Sequence, residues 1–544
     1  MERLTSSIQA RVTRSERPWL LLLASGAVAV SVVFPLTRIV WRAASVEPAQ
    51  AMEMLVRPAT LEILVNSVVL TASVTLLSIL LAVPLAVLTV RTDLPYRRFW
   101  TVVVALPLAI PSYIGAFAFV SVFRPRGLVQ SWLEPFGVER LPDVFGLHGA
   151  ILIITLYTYP YVYLTTRAAL KAFDKSLVEA ALVLDHGRWS TFRRVTLPQI
   201  RPAITAGALL TALYAVSDFG TPAFLQARVF TRQIYISYGT FGGLDYAAFL
   251  SLQLVAFTVV ILLLESRIRG DEQLFTSGSG RGTDHRIELG RWRWPAMAWC
   301  ASIGVLTLAL PILIFFQWLA RSQADVPPSL VFRPEFALNS VYVAGLAALV
   351  AVLAALPVAY LSARYRSRLG WLFERATYVG YAVPGIVIGL ALVFFGARYG
   401  TISVGSLSLS IYMSIPILVF AYVVRFLPQA VGSTRTTLLQ VNPQLTEAAY
   451  TLGRSPLATF RHVTLPLIAP GVVAGAALVF LTTMKELPAT LLLKPAGFET
   501  LVTRIWAAES AGYYGQAAIP ALILLVVSGL SMLVILAQEG YDVD

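Results

Sequence analysis

The sequence predicts an all-α polytopic membrane protein of about twelve transmembrane helices, arranged as two parallel six-helix repeats. Three observations carry that reading. Of 544 residues, 57% are hydrophobic and 13% charged, with a mean hydropathy of +0.73; soluble domains carry about 25% charged residues. Twelve apolar runs approach the roughly 20 residues a helix needs to cross a bilayer. A thirty-residue stretch of the first half also recurs, without a gap, in the second.

The composition excludes a soluble enzyme, a disordered scaffold and a secreted disulfide module. Cys300 is the only cysteine, so no internal disulfide and no thiolate metal cluster can form. His148, His186, His285 and His462 are scattered too widely along the chain to suggest a metal cage.

The expected spans lie near 18–41, 64–90, 99–123, 147–166, 203–225 and 247–266, then 294–320, 338–362, 374–397, 407–428, 470–493 and 515–537. Prolines and polar residues blur the boundaries around 405–435 and 485–495. An even number of spans puts both termini on one side. With that side cytoplasmic, inner segments hold 28 of the 42 Lys and Arg residues, as the positive-inside rule requires. The net charge of +13 is therefore topology, and no basic face with interleaved aromatics exists for nucleic acid. The basic N-terminus before the first run could be a cleaved signal peptide. Its Phe34-Pro35…Trp41 pattern recurs as Leu310-Pro311…Trp318 inside the chain, so the first span is read as retained.

The repeat fixes the organisation. Asn66-Ser67-Val68 and Asn339-Ser340-Val341 open the second and eighth spans at an offset of 273, which also pairs Pro84 with Pro357, Arg91 with Arg364 and Pro111 with Pro384. Residues 179–208 align with 447–476 at an offset of 268, identical at sixteen of thirty positions. The first repeat is placed at 1–270 with a loop at 171–201, and the second at 294–544 with a loop at 435–469. The polar stretch 271–293, with Thr276 to Gly282 flexible in composition, joins them on the cytoplasmic side. Parallel repeats place a pseudo-twofold axis along the membrane normal, and a substrate path between the halves.

The paired loops are the most informative feature. Asp174 and Asn442 suit helix N-caps, and Pro443 suits a first helical position. A short helix follows with Glu179-Ala180-Ala181 or Glu447-Ala448-Ala449. Gly453 can end it in a left-handed turn; Ser455-Pro456 restarts a helix that Leu465-Pro466 is expected to stop. The expected product is a helix-turn-helix along the membrane, whose small alanines admit a partner closely. An interfacial amphipathic elbow is the plainer alternative.

These loops resemble the EAA motif of ABC importer permeases: Glu-Ala-Ala, a Gly six residues after the Glu, then Leu-Pro. In that family the loop couples to an ATPase subunit. The resemblance implies coupling roles for Glu179, Ala180, Ala181, Leu197 and Pro198, and for Glu447, Ala448, Ala449, Gly453, Leu465 and Pro466. The first half departs at the glycine position, which is Asp185; Asp tolerates the left-handed region better than most residues. The implied architecture is the MetI-like importer permease fold. Asp218-Phe219-Gly220-Thr221-Pro222 and Met484-Lys485-Glu486-Leu487-Pro488, with the fusion of two halves, further resemble iron(III) importer permeases. Fused permeases for thiamine, polyamines or phosphonates are close relatives.

None of the four lysines (Lys171, Lys175, Lys485, Lys494) follows a glycine, so no P-loop is present to hold ATP. ATP and Mg²⁺ are expected on two copies of a separate ATPase subunit, and substrate capture on an external, periplasmic binding protein. The expected location is the bacterial inner membrane, and no cofactor is expected on this chain.

Asp218 and Glu486 occupy equivalent positions near the outer ends of the fifth and eleventh spans. Acids there are costly in lipid and face protein, water or a partner. Two carboxylates near the axis suit a hard cation such as iron(III). Alternatively, Glu486 pairs with Lys485 or Arg504, and Asp218 caps a broken helix before Gly220 and Pro222. Tyr157, Tyr159, Tyr161 and Tyr163 offer oxygens too, but a spacing of two spreads them round a helix, which favours packing. A proton-coupled secondary carrier is the rival class; it would need ionisable residues inside several spans, and it does not explain the paired loops. No catalytic constellation recurs, so the chain is read as a non-enzymatic pore subunit.

Overall fold

The structure, a computed structural model, describes residues 19–123, 130, 134–137, 144–172, 187–269, 287–320, 326–365, 367–404 and 407–538. Glu179, Ala180, Ala181 and Asp185, and the Thr276–Gly282 stretch, lie outside the described residues.

Among the described residues, nine helices are long and apolar enough to cross a membrane: Trp19–Ala44, Pro58–Arg91, Leu147–Ala172, Trp189–Ser217, Leu244–Leu264, Gly290–Ala320, Glu335–Arg364, Ile415–Gln440 and Pro456–Met484. Two bent pairs and the apolar helix Tyr514–Leu530 fill the other three expected places. Among the described residues, Thr401–Val404 and Leu407–Ser410 pair as a small antiparallel hairpin.

Four expectations need correction. The third and ninth spans are not straight. Arg97–Ala109 and Ser112–Phe123 meet at 92°, and Arg368–Ala382 and Gly385–Tyr399 at 103°. Both breaks fall at the repeat-related Pro111 and Pro384. The preceding residues, Ile110 (φ −84°, ψ 127°) and Val383 (φ −86°, ψ 127°), are extended, because a following proline disfavours the helical region.

The fifth and eleventh spans end early, at Ser217 and Met484, and short helices Gly220–Phe224 and Pro488–Leu493 follow. The tenth begins at Ile415, since the hairpin occupies 401–410. Leu465-Pro466 does not stop a helix either. Pro456–Met484 is one span, with a wide turn at Phe460–Thr464 where the Leu465 N–H reaches back five residues to the Phe460 carbonyl. Pro466, which has no N–H to place, sits just beyond it. The same wide turn precedes Leu197-Pro198 and Leu310-Pro311.

The chain forms two compact units: residues up to Ile39 with Leu338–Phe498, and Val40–Ala337 with Glu499–Asp544. In the first, the opening span packs on second-half residues. A Cβ on Gly26 would lie 3.2 Å from the Phe373 ring, Phe34 meets Phe395 edge-on at 5.7 Å, and Arg38 lies over Tyr399 at 5.2 Å.

In the second unit, the seventh span packs on first-half residues. Phe117 stacks on Phe315 and meets Trp318 edge-on, and the Tyr157 hydroxyl donates to the Thr307 carbonyl at 3.1 Å. The fifth span lies against the fourth through Gly207, where a Cβ would approach Val162 Cα to 2.6 Å. The segment after the sequence join is clasped to the loop following the second span. Ile287 N–H donates to Arg91 O and Asp93 N–H to Ile287 O, Leu289 N–H donates to Asp93 Oδ1 and Arg293 to Asp93 Oδ2, both at 2.8 Å.

Candidate functional site

The loop of the second half is described in full. Pro443 opens the helix Pro443–Thr451, and Asn442 caps it by accepting from the Gln444 N–H at 3.0 Å. Gly453 ends it at φ +79°. There the Gly453 N–H donates to Tyr450 O and the Arg454 N–H to Ala449 O, the six-to-one closure of a glycine-ended helix. Ser455 then accepts from the Ala458 N–H at 3.3 Å and starts the next helix.

Glu447 and Ala448 are exposed, and so are Gly453 and Pro466, whereas Leu465 is half-buried. Ala449 turns inward at 7% exposure, so only one of the two alanines offers its face to a partner. What sequence reasoning missed is the apolar pair beside them: Leu452 is 84% exposed and Leu457 78%. Leucines on both sides of a glycine turn were the available signal. In the first half Leu197 and Pro198 start the helix Leu197–Ser217 directly after its wide turn.

The two acids each sit at the start of a half-helix. Ser112, first residue beyond the 92° bend, donates to Asp218 Oδ2 at 2.7 Å. The Tyr214 hydroxyl stands 3.0 Å from Ser112 Oγ, and the Thr221 N–H donates to Asp218 Oδ1 at 3.4 Å. Asp218 thus anchors the break before Gly220. In the other unit, Glu486 accepts from the Ala489 N–H at 3.4 Å and from Arg425 at 3.3 Å. Gly385, the residue beyond the 103° bend, is required there, because a Cβ would overlap the Arg425 guanidinium and the Glu486 carboxylate. The helix N-termini favour both carboxylates.

Arg425 is the partner that sequence reasoning missed, having proposed Lys485 or Arg504. Arg504 instead lies over the Phe336 ring at 4.8 Å. The tyrosine run packs as expected. Tyr157, Tyr159 and Tyr163 are fully buried; Tyr159 donates to Val104 O, and Tyr163 bonds the Thr89 hydroxyl. Tyr161 meets Tyr214 at 6.1 Å between rings.

Comparison with known proteins agrees with the repeat. The model of the family "Binding-protein-dependent transport system inner membrane component" matches twice, over residues 75–270 and 336–539. The Fe(3+)-transport system permease protein FbpB 2 of Haemophilus influenzae is 33% identical, over 94% of this chain and 96% of its own. A putative ferric transport system permease protein, FbpB 1 of the same organism, is 26% identical over 84% and 74%. A probable molybdenum ABC transporter permease protein of Haloferax volcanii is 30% identical over 45% of this chain and 88% of its own. Two family matches over most of the length, in a multi-span chain, leave a transport role and set aside the secondary-carrier and enzyme readings. The chain belongs to the family of binding-protein-dependent transport system inner membrane components.

Proposed function

We propose that this chain is the permease subunit of an ABC importer for iron(III). The observation that carries the substrate is the 33% identity, across nearly the full length of both chains, to a protein named as an Fe(3+)-transport permease. Substrate arrives on an external binding protein and leaves to the cytoplasm through a path between the two repeats, 1–270 and 294–544, joined by 271–293. Both termini face the cytoplasm. Two copies of an ATPase subunit hold ATP and Mg²⁺, since the sequence lacks a P-loop.

Coupling runs through the paired loops. Glu179, Ala180, Ala181 and Asp185 are its first-half elements, with Leu197 and Pro198 setting the start of the following span. Glu447, Ala448 and Gly453 are their second-half counterparts. Leu465 and Pro466 complete the second-half set, and Ala449, which is buried, positions the loop. Closure of the ATPases around nucleotide draws the loops together and opens the path outward; nucleotide release reverses it. Asp218 and Glu486 lie on the path.

Uptake of radiolabelled iron(III) by iron-limited cells with and without this gene tests the reading, with thiamine and molybdenum uptake in parallel. Loss of iron uptake alone is expected. Intact iron uptake with loss of another substrate would move the assignment to a relative of the same class.

A further inference from the structure

The second-half loop is held to the end of the eighth span at three points along its length. That span, Glu335–Arg364, carries Tyr360 and Arg364 one turn apart, so both side chains leave the same face. Arg364 donates to the Val441 carbonyl at 3.2 Å. Val441 closes the tenth span, Ile415–Gln440, and its carbonyl is among those a helix end leaves without an intrahelical partner. Arg364 therefore grips the hinge immediately before Asn442, the cap of the loop helix. Tyr360 shares a hydrogen bond with the Tyr450 hydroxyl near the far end of that helix, and Tyr365 adjoins Tyr450 as well. Beyond the glycine turn, the Tyr360 ring meets Phe460 edge-on at 5.7 Å, inside the wide turn that leads into the eleventh span.

The first half is built otherwise. At the offset of 273, Tyr360 and Tyr365 correspond to Val87 and Thr92, and at the offset of 268 Tyr450 corresponds to Leu182. Arg91 and Phe192 stand where Arg364 and Phe460 do, but none of the three tyrosines has a tyrosine counterpart. The Thr92 hydroxyl donates to the Leu88 carbonyl of its own helix. The end of the second span grips the segment after the join instead, where the Arg91 carbonyl accepts from the Ile287 N–H. Repeat-related helix ends thus hold different things.

Tilting the loop helix against the eighth span would break an arginine–carbonyl bond, a hydroxyl bond and a ring contact together. Loop and span end are therefore built to move as one body. Packed and hydrogen-bonded neighbours of this kind are what carries a displacement from one site to another.

We infer that Arg364, Tyr360, Tyr365 and Tyr450 are positioning residues that lock the second-half loop to the eighth span, so that a push by the ATPase on this loop reaches a third span besides the tenth and eleventh that flank it. This deepens the importer reading and rests on it for the ATPase and its push; the clamp itself rests on the contacts above.

The test uses the full chain assembled with its ATPase and binding protein in vesicles. It reads ATP hydrolysed per iron(III) ion imported, a ratio that a simple loss of folded protein leaves alone. Tyr360→Val with Tyr450→Leu, which installs the first-half residues, should raise that ratio about threefold or more, and so should Arg364→Met. Tyr360→Phe, which keeps the ring on Phe460, and Arg364→Lys, which keeps a donor, should each recover most of the loss. Arg368→Gln removes an exposed charge four residues farther on and should leave the ratio at the wild-type value. Hydrogen exchange over 443–451 in the nucleotide-free transporter supplies a second readout. It should quicken in Arg364→Met and in the tyrosine double variant, but not in Arg368→Gln.

An unchanged ratio in both Arg364→Met and the tyrosine double variant overturns the lever. So does a fall of uptake and hydrolysis in strict proportion to the amount of assembled transporter. A wild-type chain that recruits no ATPase overturns the importer reading and the lever with it, whereas unaltered exchange with the ATPase present overturns the clamp alone. Should the wild type hydrolyse ATP yet import no iron, the iron assignment falls and the exchange readout still decides the clamp.

Discussion

The Arg454 amide donates to the Ala449 carbonyl at 3.0 Å, and this single bond turns the chain back at the exposed tip of the second-half loop. The bond needs Gly453 at φ +79°, where an L side chain costs about 1–2 kcal/mol. Gly453→Val should therefore leave the protein inserted and the spans intact, but cut ATP-dependent uptake several-fold and weaken copurification of the ATPase. Unchanged copurification would show that the turn is not part of the docking surface.

Glu447 is exposed at that loop and makes no ion pair among the described residues. The double variant Glu179→Ala with Glu447→Ala should keep normal protein levels while ATP hydrolysis no longer tracks uptake. Measuring both in reconstituted vesicles decides it, and wild-type uptake in the double variant would remove the coupling assignment.

Leu452 and Leu457 expose large apolar side chains beside it. Replacing both by Ser removes apolar area worth roughly 1.5–3 kcal/mol per fully buried side chain. The affinity for the ATPase should drop by an order of magnitude or more, while the thermal stability of the isolated chain stays the same.

Gly207 and Gly475 share a place in the repeat but not the same room. A Cβ at Gly207 would come within 2.6 Å of Val162 Cα, whereas at Gly475 the nearest atom is Ala430 Cα at 3.0 Å. Gly207→Ala should then lower the melting temperature clearly and Gly475→Ala only slightly, as scanning fluorimetry of the two variants can establish.

The clasp around Asp93 has a defined pH range. The Leu289 amide, and after it Arg293, hold its carboxyl below the usual carboxylate range, against an opposing effect of desolvation. A lowered value means the clasp's contribution is present above the ordinary value of 3.8 and fades as pH falls through the folded value. Hydrogen exchange at Ile287 and Leu289 should show constant protection from pH 5 to 8 and a decline only in stronger acid. Asp93→Asn should weaken protection across the whole range.

Where sequence and structure agree, the signal was local. Asn442, Gly453 and Ser455 act as cap, turn and cap because each choice is dictated within a few residues. Apolar length alone marked the nine long helices, the two bent pairs and the shorter apolar helix Tyr514–Leu530. What was not legible depended on neighbours far along the chain, such as the Arg425–Glu486 pair and the clasp of Asp93 on Leu289 and Arg293. The broken third and ninth spans form a middle case. Pro111 and Pro384 were visible as a repeated pair, but a proline also sits inside the intact helices at Pro84 and Pro357, so its presence alone does not announce a bend. The Leu-Pro steps misled for a related reason: at Leu197, Leu310 and Leu465 a wide turn absorbs the missing amide, and the helix runs on.

The packing of Gly26 against Phe373 sets an order of events during synthesis. The two residues are 347 positions apart, and a ribosome adds about 5–20 residues per second. The opening helix thus waits in the bilayer for roughly 17–70 s before the surface it finally packs on has been made. For that time it must persist as a lone helix, with its grooves filled by lipid, and avoid pairing with first-half helices that emerge sooner. This contact can form only after the second half has been made, and a truncation before Phe373 would leave the first helix without that packing surface.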